Sequence, residues 1–222
     1  MNVYVLRGLC LIIGYVFGLF ETGYIYGKIH HTDIREHGSG NAGTTNALRT
    51  FGTFGGIVTL IGDLIKCMVA IFIVWMLFHE DYPKMIMLLM TYTGLGAIIG
   101  HNFPFYMKFK GGKGIACTGA LILSLDLRFA PVLLVVFIAT VVITRYVSLG
   151  SIVILVGFFL ESVIFGNMGW LKIDPHYLYE YYLLVIIVMA LGLWRHKSNI
   201  EKLRNGTERK ISFTKKGEGK ND

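Results

Sequence analysis

The sequence predicts an all-α integral membrane protein, a polytopic bundle of about seven transmembrane helices with the N-terminus outside and the C-terminus cytoplasmic. Three observations carry this prediction. Of the 222 residues, 54% are hydrophobic and only 16% charged, and the mean hydropathy of +0.60 lies well above that of a mixed soluble domain. The apolar residues fall in runs of about 15 to 25, the length that crosses roughly 30 Å of hydrocarbon as helix. The basic residues lie in short connections, concentrated on alternate ones, as in helices oriented by cytoplasmic Lys and Arg.

Taken in order, the expected spans are 3–26, 53–78, 84–103, 114–125, 129–144, 151–165 and 179–194. The first places Arg7 ahead of the apolar stretch 9–20, a layout shared with signal peptides. No alanine precedes Ala42 to form a small-residue cleavage site, so this run is expected to be retained. In the second, Asp63 and Lys66 stand one helical turn apart and are expected to pair, since an unpaired charge in hydrocarbon is costly. The third should end at Pro104, which lacks an N–H and disfavours helix in the residue before it. The fourth is short. A re-entrant course or rest against neighbouring helices is its alternative, leaving a count of five or six. Glu21 and Asp126 sit near span ends within expected reach of water, whereas Glu161 lies deeper and must face protein or carry a proton. None of the three is assigned a role.

With seven spans, segments 28–50, 104–113, 145–150 and 195–222 share one side and hold 16 of the 21 Lys and Arg. That side is expected to be cytoplasmic. Tyr82, Trp170, Tyr177, Tyr179, Tyr181, Tyr182 and Trp194 fall near span ends as interfacial anchors. The formal charge of +7 is therefore read as membrane topology, and nucleic acid is excluded because no basic patch interleaved with exposed aromatics is present. Cys10, Cys67 and Cys117 are odd in number and widely spaced, which suits small hydrophobes better than a disulfide framework or a metal site. One membrane domain over 1–211 and a polar, disordered tail over 212–222 are expected. No internal repeat is visible, against an inverted-repeat transporter.

Four connections on the expected cytoplasmic side carry chemistry. Segment 37–52, HGSGNAGTTNALRTFG, is dense in Gly, Ser, Asn and Thr, which allow close backbone approach and short hydrogen bonds to a ligand, and it closes on Arg49, a fork suited to phosphate. A surface turn with Thr44 or Thr45 capping a short helix is the plainer reading. Segment 100–114, GHNFPFYMKFKGGKG, places Lys110, Gly111, Gly112 and Lys113 ahead of a helix as an anion nest. It is not a Walker loop, for Met107 and Gly114 stand where that motif needs Gly and Ser or Thr. Segment 145–152 brings Arg145, Ser148 and Ser151 onto one helix face, or uses a serine as a cap. Segment 195–211 sets His196 and Asn199 one turn apart, beside Lys197, Lys202 and Arg204, which also suit a helix lying on anionic lipid.

In this order the segments resemble the bacterial acyl-phosphate:glycerol-3-phosphate acyltransferase family. The resemblance rests on Ser39-Gly40-Asn41 with Gly43, Thr45, Asn46 and Arg49; on Gly62, Asp63 and Lys66; on Gly100-His101, Phe103-Pro104 and the run from Phe109 to Gly114; on Ser148-Leu149 and Ser151; and on His196, Asn199-Ile200, Leu203 and Gly206-Thr207-Glu208. Thr44 and Asn102 depart from it, standing where alanine and an apolar residue are usual. It implies a seven-span bacterial plasma-membrane enzyme, with its active-site loops cytoplasmic, that moves a fatty acyl group from acyl phosphate to the 1-hydroxyl of glycerol 3-phosphate. The products are lysophosphatidic acid and phosphate, the first acylation step of phospholipid synthesis, with the lipid bilayer as its setting and with no cofactor, coenzyme A or metal. The implied catalytic residues are Ser39, Arg49, Lys113, His196 and Asn199. Asn41, Asn46, Lys110, Gly111, Gly112, Ser148, Ser151 and Glu208 would bind substrate, with backbone N–H groups of Gly111 and Gly112 on phosphate and His196 as candidate base. No triad order or G-x-S-x-G elbow surrounds Ser39, which favours direct transfer over an acyl-serine. The rival readings are a transporter or flippase for a phosphorylated small molecule or lipid, and a membrane-anchored scaffold.

Overall fold

A computed structural model describes residues 2–211, so the expected tail over 212–222 lies outside the described residues. Among the described residues all regular structure is helical. Nine α-helices follow one another: α1 (Val3–Gly18), α2 (Thr22–Ile29), α3 (Thr44–Phe78), α4 (Ile86–Asn102), α5 (Ile115–Leu125), α6 (Ala130–Thr144), α7 (Val147–Asn167), α8 (Leu178–Arg195) and α9 (Lys197–Arg204). Among the described residues six stretches are long and apolar enough to cross a membrane: Val3–Ile29, Thr44–Phe78, Ile86–Met107, Leu127–Thr144, Val147–Asn167 and Pro175–Arg195. The expected fourth span is the eleven-residue α5, which falls short of that length.

The first span is not one helix. It breaks between Gly18 and Thr22, with Glu21 extended at the N-cap of α2. The carbonyls freed by the break find side-chain donors: Tyr106 Oη donates to Leu19 O at 2.6 Å and Lys66 Nζ to Phe20 O at 2.6 Å. A break at membrane depth persists only where protein satisfies such groups. Glu21, expected near water, is instead fully buried beside Lys66 and His101. The expected Asp63–Lys66 pair is present at 2.9 Å. Asp126 caps the turn after α5 and holds Arg128.

The second long helix starts earlier than expected. Gly43, not Thr44 or Thr45, is its N-cap, and Thr44–Phe51 forms a leading piece ahead of a kink at Gly52, whose φ of 76° only glycine adopts readily. The closest packing joins α1 to α4 through glycines. A Cβ on Gly14 would lie 1.9 Å from Thr93 O, and one on Gly96 would lie 2.1 Å from Leu11 O. Small residues let membrane helices touch backbone to backbone. Gly96→Ala is therefore expected to force α1 off α4, destabilising the protein by about 1–3 kcal/mol. A melting curve in detergent that matches wild type would contradict this contact.

The ends of α5 are tied to opposite ends of α8. Lys113, just ahead of α5, bonds Asn199 beyond the end of α8. Arg128, just after α5, donates to Trp170 O at 2.5 Å in the loop that leads into α8. The short helix thus runs between the two ends of the bundle.

Candidate active site

The glycine-rich loop is shaped by its own amides. Asn46, at the start of α3, donates to Ile34 O (3.1 Å) and His37 O (3.0 Å) and accepts from Ser39 N (2.8 Å). Its side chain is buried and committed to the loop, so the expected substrate contact of Asn46 is replaced by a scaffold role. Asn41 accepts from Gly43 N and donates to Gly111 O at 3.2 Å, bridging two of the four segments rather than presenting a free amide. Gly38 and Gly40 flank Ser39 in left-handed conformations, leaving Ser39 exposed with its hydroxyl unpartnered.

The second segment differs from the expected nest. Gly111 N donates to Asn102 O (3.2 Å) and Gly112 N to His101 O (3.0 Å), so neither N–H is available to a phosphate. A helix's first N–H groups have no preceding carbonyl to bond, so the donors that remain are those opening α5 just past Lys113. Gly112 serves close packing instead, since a Cβ there would lie 1.9 Å from His101 Nε2. Lys110 is exposed, whereas Lys113 is partly buried.

Lys113 Nζ donates to Asn199 Oδ1, and Asn199 Nδ2 donates to both carboxylate oxygens of Glu208 at 3.0 and 3.1 Å. Arg49 from α3 and Lys202 from α9 add positive charge around this relay, and Arg209 lies near Arg49. Burial and the neighbouring cations Arg195, Lys202 and Arg49, only partly offset by Glu208, lower the Lys113 ammonium to about 8. An excess of cations over one carboxylate is a site that lacks anions.

His196 links α8 to α9 and is buried. Its Nδ1 lies 2.8 Å from Gly192 O, which accepts the ring proton there and leaves the Nε2 lone pair as acceptor. Burial first, and then Lys113, push its pKa down to about 4, with Arg195 adding to the effect. The ring is a neutral acceptor at physiological pH.

The third segment contributes less than expected. Ser148 is buried with an unpartnered hydroxyl, while Ser151 donates to Val147 O at 2.9 Å within its own helix. Neither caps α7, whose N-cap is Tyr146. Ile211 N donates to Arg145 O at 2.8 Å, fastening the fourth segment to this corner.

Arg195 is the site residue the sequence did not single out. It donates to Gly111 O at 3.0 Å and to Gly112 O at 2.6 Å, pinning the glycine turn to the end of α8. In sequence it reads as one more topology charge at a span end; only its adjacency to His196 hints otherwise.

A family model described as glycerol-3-phosphate acyltransferase matches residues 8–206. A glycerol-3-phosphate acyltransferase of Halalkalibacterium halodurans is 39% identical over 211 residues, covering 94% of this chain and 97% of the relative. One of Thermotoga petrophila is 37% identical over 206 residues, covering 92% and 96%. Two solved structures share the fold, both described as PlsY (YgiH), an integral membrane glycerol 3-phosphate acyltransferase. The glycerol 3-phosphate form superposes with a TM-score of 0.78 at 29% identity, over 93% of this chain and 96% of that one. The lysophosphatidic acid form gives 0.77 at 28%, over 93% and 95%.

Proposed function

We propose, from the premise that this chain belongs to the glycerol-3-phosphate acyltransferase family, that it takes its acyl group from acyl phosphate. The acceptor is the 1-hydroxyl of glycerol 3-phosphate, and the products are lysophosphatidic acid and inorganic phosphate. The observation that carries this reading is the cluster of Lys113, Arg49 and Lys202 around the Asn199–Glu208 relay, with a neutral His196 beside it. Two phosphates meet in such a reaction, and the cluster supplies the opposing charge. Acyl phosphate is already activated, so the protein has to position and neutralise.

The hydroxyl oxygen attacks the acyl carbonyl carbon and the carbon–oxygen bond to phosphate breaks. His196 Nε2 accepts the hydroxyl's hydrogen bond and orients it. The proton passes to the departing phosphate, because a phosphate dianion, whose conjugate acid has a pKa of about 6, is a stronger base than an imidazole lowered to about 4. Lys113, Arg49 and the opening N–H groups of α5 receive the phosphates, and Ser39, Ser148 and Lys110 complete their surroundings as substrate contacts. Gly111, Gly112 and Arg195 hold the turn in place. Basic connections gathered at one end support a cytoplasmic site in a bacterial plasma membrane.

For the acyl chain, a cavity of about 520 Å³ opens between α3, α4 and α5, lined by Met68, Ile71, Phe72, Trp75, Met90 and Ser124. That is the size of an ordinary ligand pocket, roughly 300–1,000 Å³. Ser124 lies nine residues along α5 from Ile115, roughly 14 Å from the phosphate end at the helical rise. Ser124→Trp is expected to shift preference toward shorter acyl donors; an unchanged chain-length profile would remove the cavity from the acyl path.

The purified protein in detergent, given acyl phosphate and glycerol 3-phosphate, is expected to release phosphate and form lysophosphatidic acid in equal amounts. Product formed only from acyl-coenzyme A would refute the donor, and its absence with either donor would refute the reaction.

A further inference from the structure

We propose that the ionic cluster buried at the break in the first span is a pedestal for the Lys113 turn, with His101 as the positioning residue that joins the two. The proposal rests on the reading that Lys113 holds a substrate phosphate. Glu21 stands at the N-cap of α2, Asp63 and Lys66 come from α3 and His101 from α4, and none is more than 7% exposed. Lys66 Nζ reaches Asp63 Oδ1 at 2.9 Å, Phe20 O at 2.6 Å and His101 Nδ1 at 2.9 Å. Glu21 Oε1 lies 2.9 Å from the same imidazole nitrogen, and Thr22 Oγ1 donates to Asp63 Oδ1 at 3.1 Å. Replacing such a group by apolar side chains is often neutral or stabilising, so stability alone is a weak reason for its presence.

What the cluster fixes is the plane and depth of one ring. The edge of His101 away from Lys66 lies against Gly112, where a Cβ would come within 1.9 Å of Nε2 and 2.5 Å of Cε1. The backbone of the same stretch holds the turn as well, through His101 O to Gly112 N and Asn102 O to Gly111 N. On the other side Arg195 draws on the Gly111 and Gly112 carbonyls. The glycine turn is therefore clamped between an imidazole backed by buried charge and a guanidinium, and Lys113 is the next residue. A shift of the ring moves the ammonium away from the Asn199–Glu208 relay. The break in the first span is part of the same device, because it brings Glu21 and the Phe20 carbonyl to Lys66.

The test is a double-mutant cycle read in KM for glycerol 3-phosphate. Gly112→Ala alone puts a methyl into the ring, and His101→Asn alone keeps an amide near the Nδ1 position while clearing the Nε2 edge. Each is expected to raise KM by about tenfold or more, equivalent to about 1.4 kcal/mol. In the double variant the methyl fills the cleared space, and KM is expected to return to within about threefold of His101→Asn, since touching residues couple. Single effects that simply multiply would overturn the pedestal. Glu21→Gln, which keeps shape and removes charge, is expected to raise KM with kcat little changed. A lowered melting temperature with KM unmoved would reduce the cluster to structure and overturn the proposal. Lys113→Ala in parallel separates the two readings. A KM unchanged there for both glycerol 3-phosphate and acyl phosphate overturns the phosphate role itself, whereas a raised KM there with an additive cycle overturns only the pedestal.

Discussion

Lys113→Ala is expected to lower kcat/KM by roughly 30- to 3,000-fold, the range that corresponds to about 2–5 kcal/mol for truncating one member of a desolvated charge pair. The ammonium is partly buried, stands ahead of the open N-terminus of α5 and bonds Asn199. On the function proposed above, its removal takes away both a phosphate ligand and the hydrogen-bond partner of Asn199. The pH dependence carries a sign that identifies it. Because burial lowers this group to about 8, the free enzyme loses the charge as pH rises through 8, and kcat/KM should fall there. A bound dianion holds the proton on, so kcat alone should fall later. Lys113→Arg keeps its charge at every assay pH and should erase that alkaline limb. The same limb in Lys113→Arg would assign it to another group.

His196→Ala is expected to lower kcat by about 10²-fold, the scale of losing the hydrogen bond that orients the attacking hydroxyl. The wild-type profile should show no acidic limb near the ordinary histidine value, since burial and Lys113 keep the ring neutral down to about 4. Titration of substrate phosphate near pH 6 contributes equally to wild type and variant, so the comparison is between the two profiles. A limb near 6.5 present in wild type and absent from His196→Ala would show that the imidazole titrates in the normal range and would return the base role to it.

The membrane class and the four chemical segments were legible because apolar run length and side-chain type are properties of the chain itself. Lys113 and Asn199, singled out for the same reason, meet in the structure, as do Asp63 and Lys66 across one helical turn. The misses share another cause. Gly111 and Gly112 were expected to offer N–H groups to phosphate, and Asn46 its amide to substrate; all three bond within the protein. Sequence shows which donors exist, while the approach of α4 to the glycine turn decides which remain free. Glu21 and Arg195 went unassigned for a related reason. At a span end a charge ordinarily finds water, and only the broken first span and the turn beneath α8 give these two protein partners instead.

At eleven residues and about 1.5 Å of rise each, α5 is only about 16 Å long, roughly half the hydrocarbon thickness. None of its residues is exposed and it packs on α3 and α4, so the turns at its two ends, not the helix alone, complete its path between the ends of the bundle. On the function proposed above, a single-tailed product made beside Lys113 would leave with its phosphate at the level of the basic connections and its tail already among the helices, with no need to cross water.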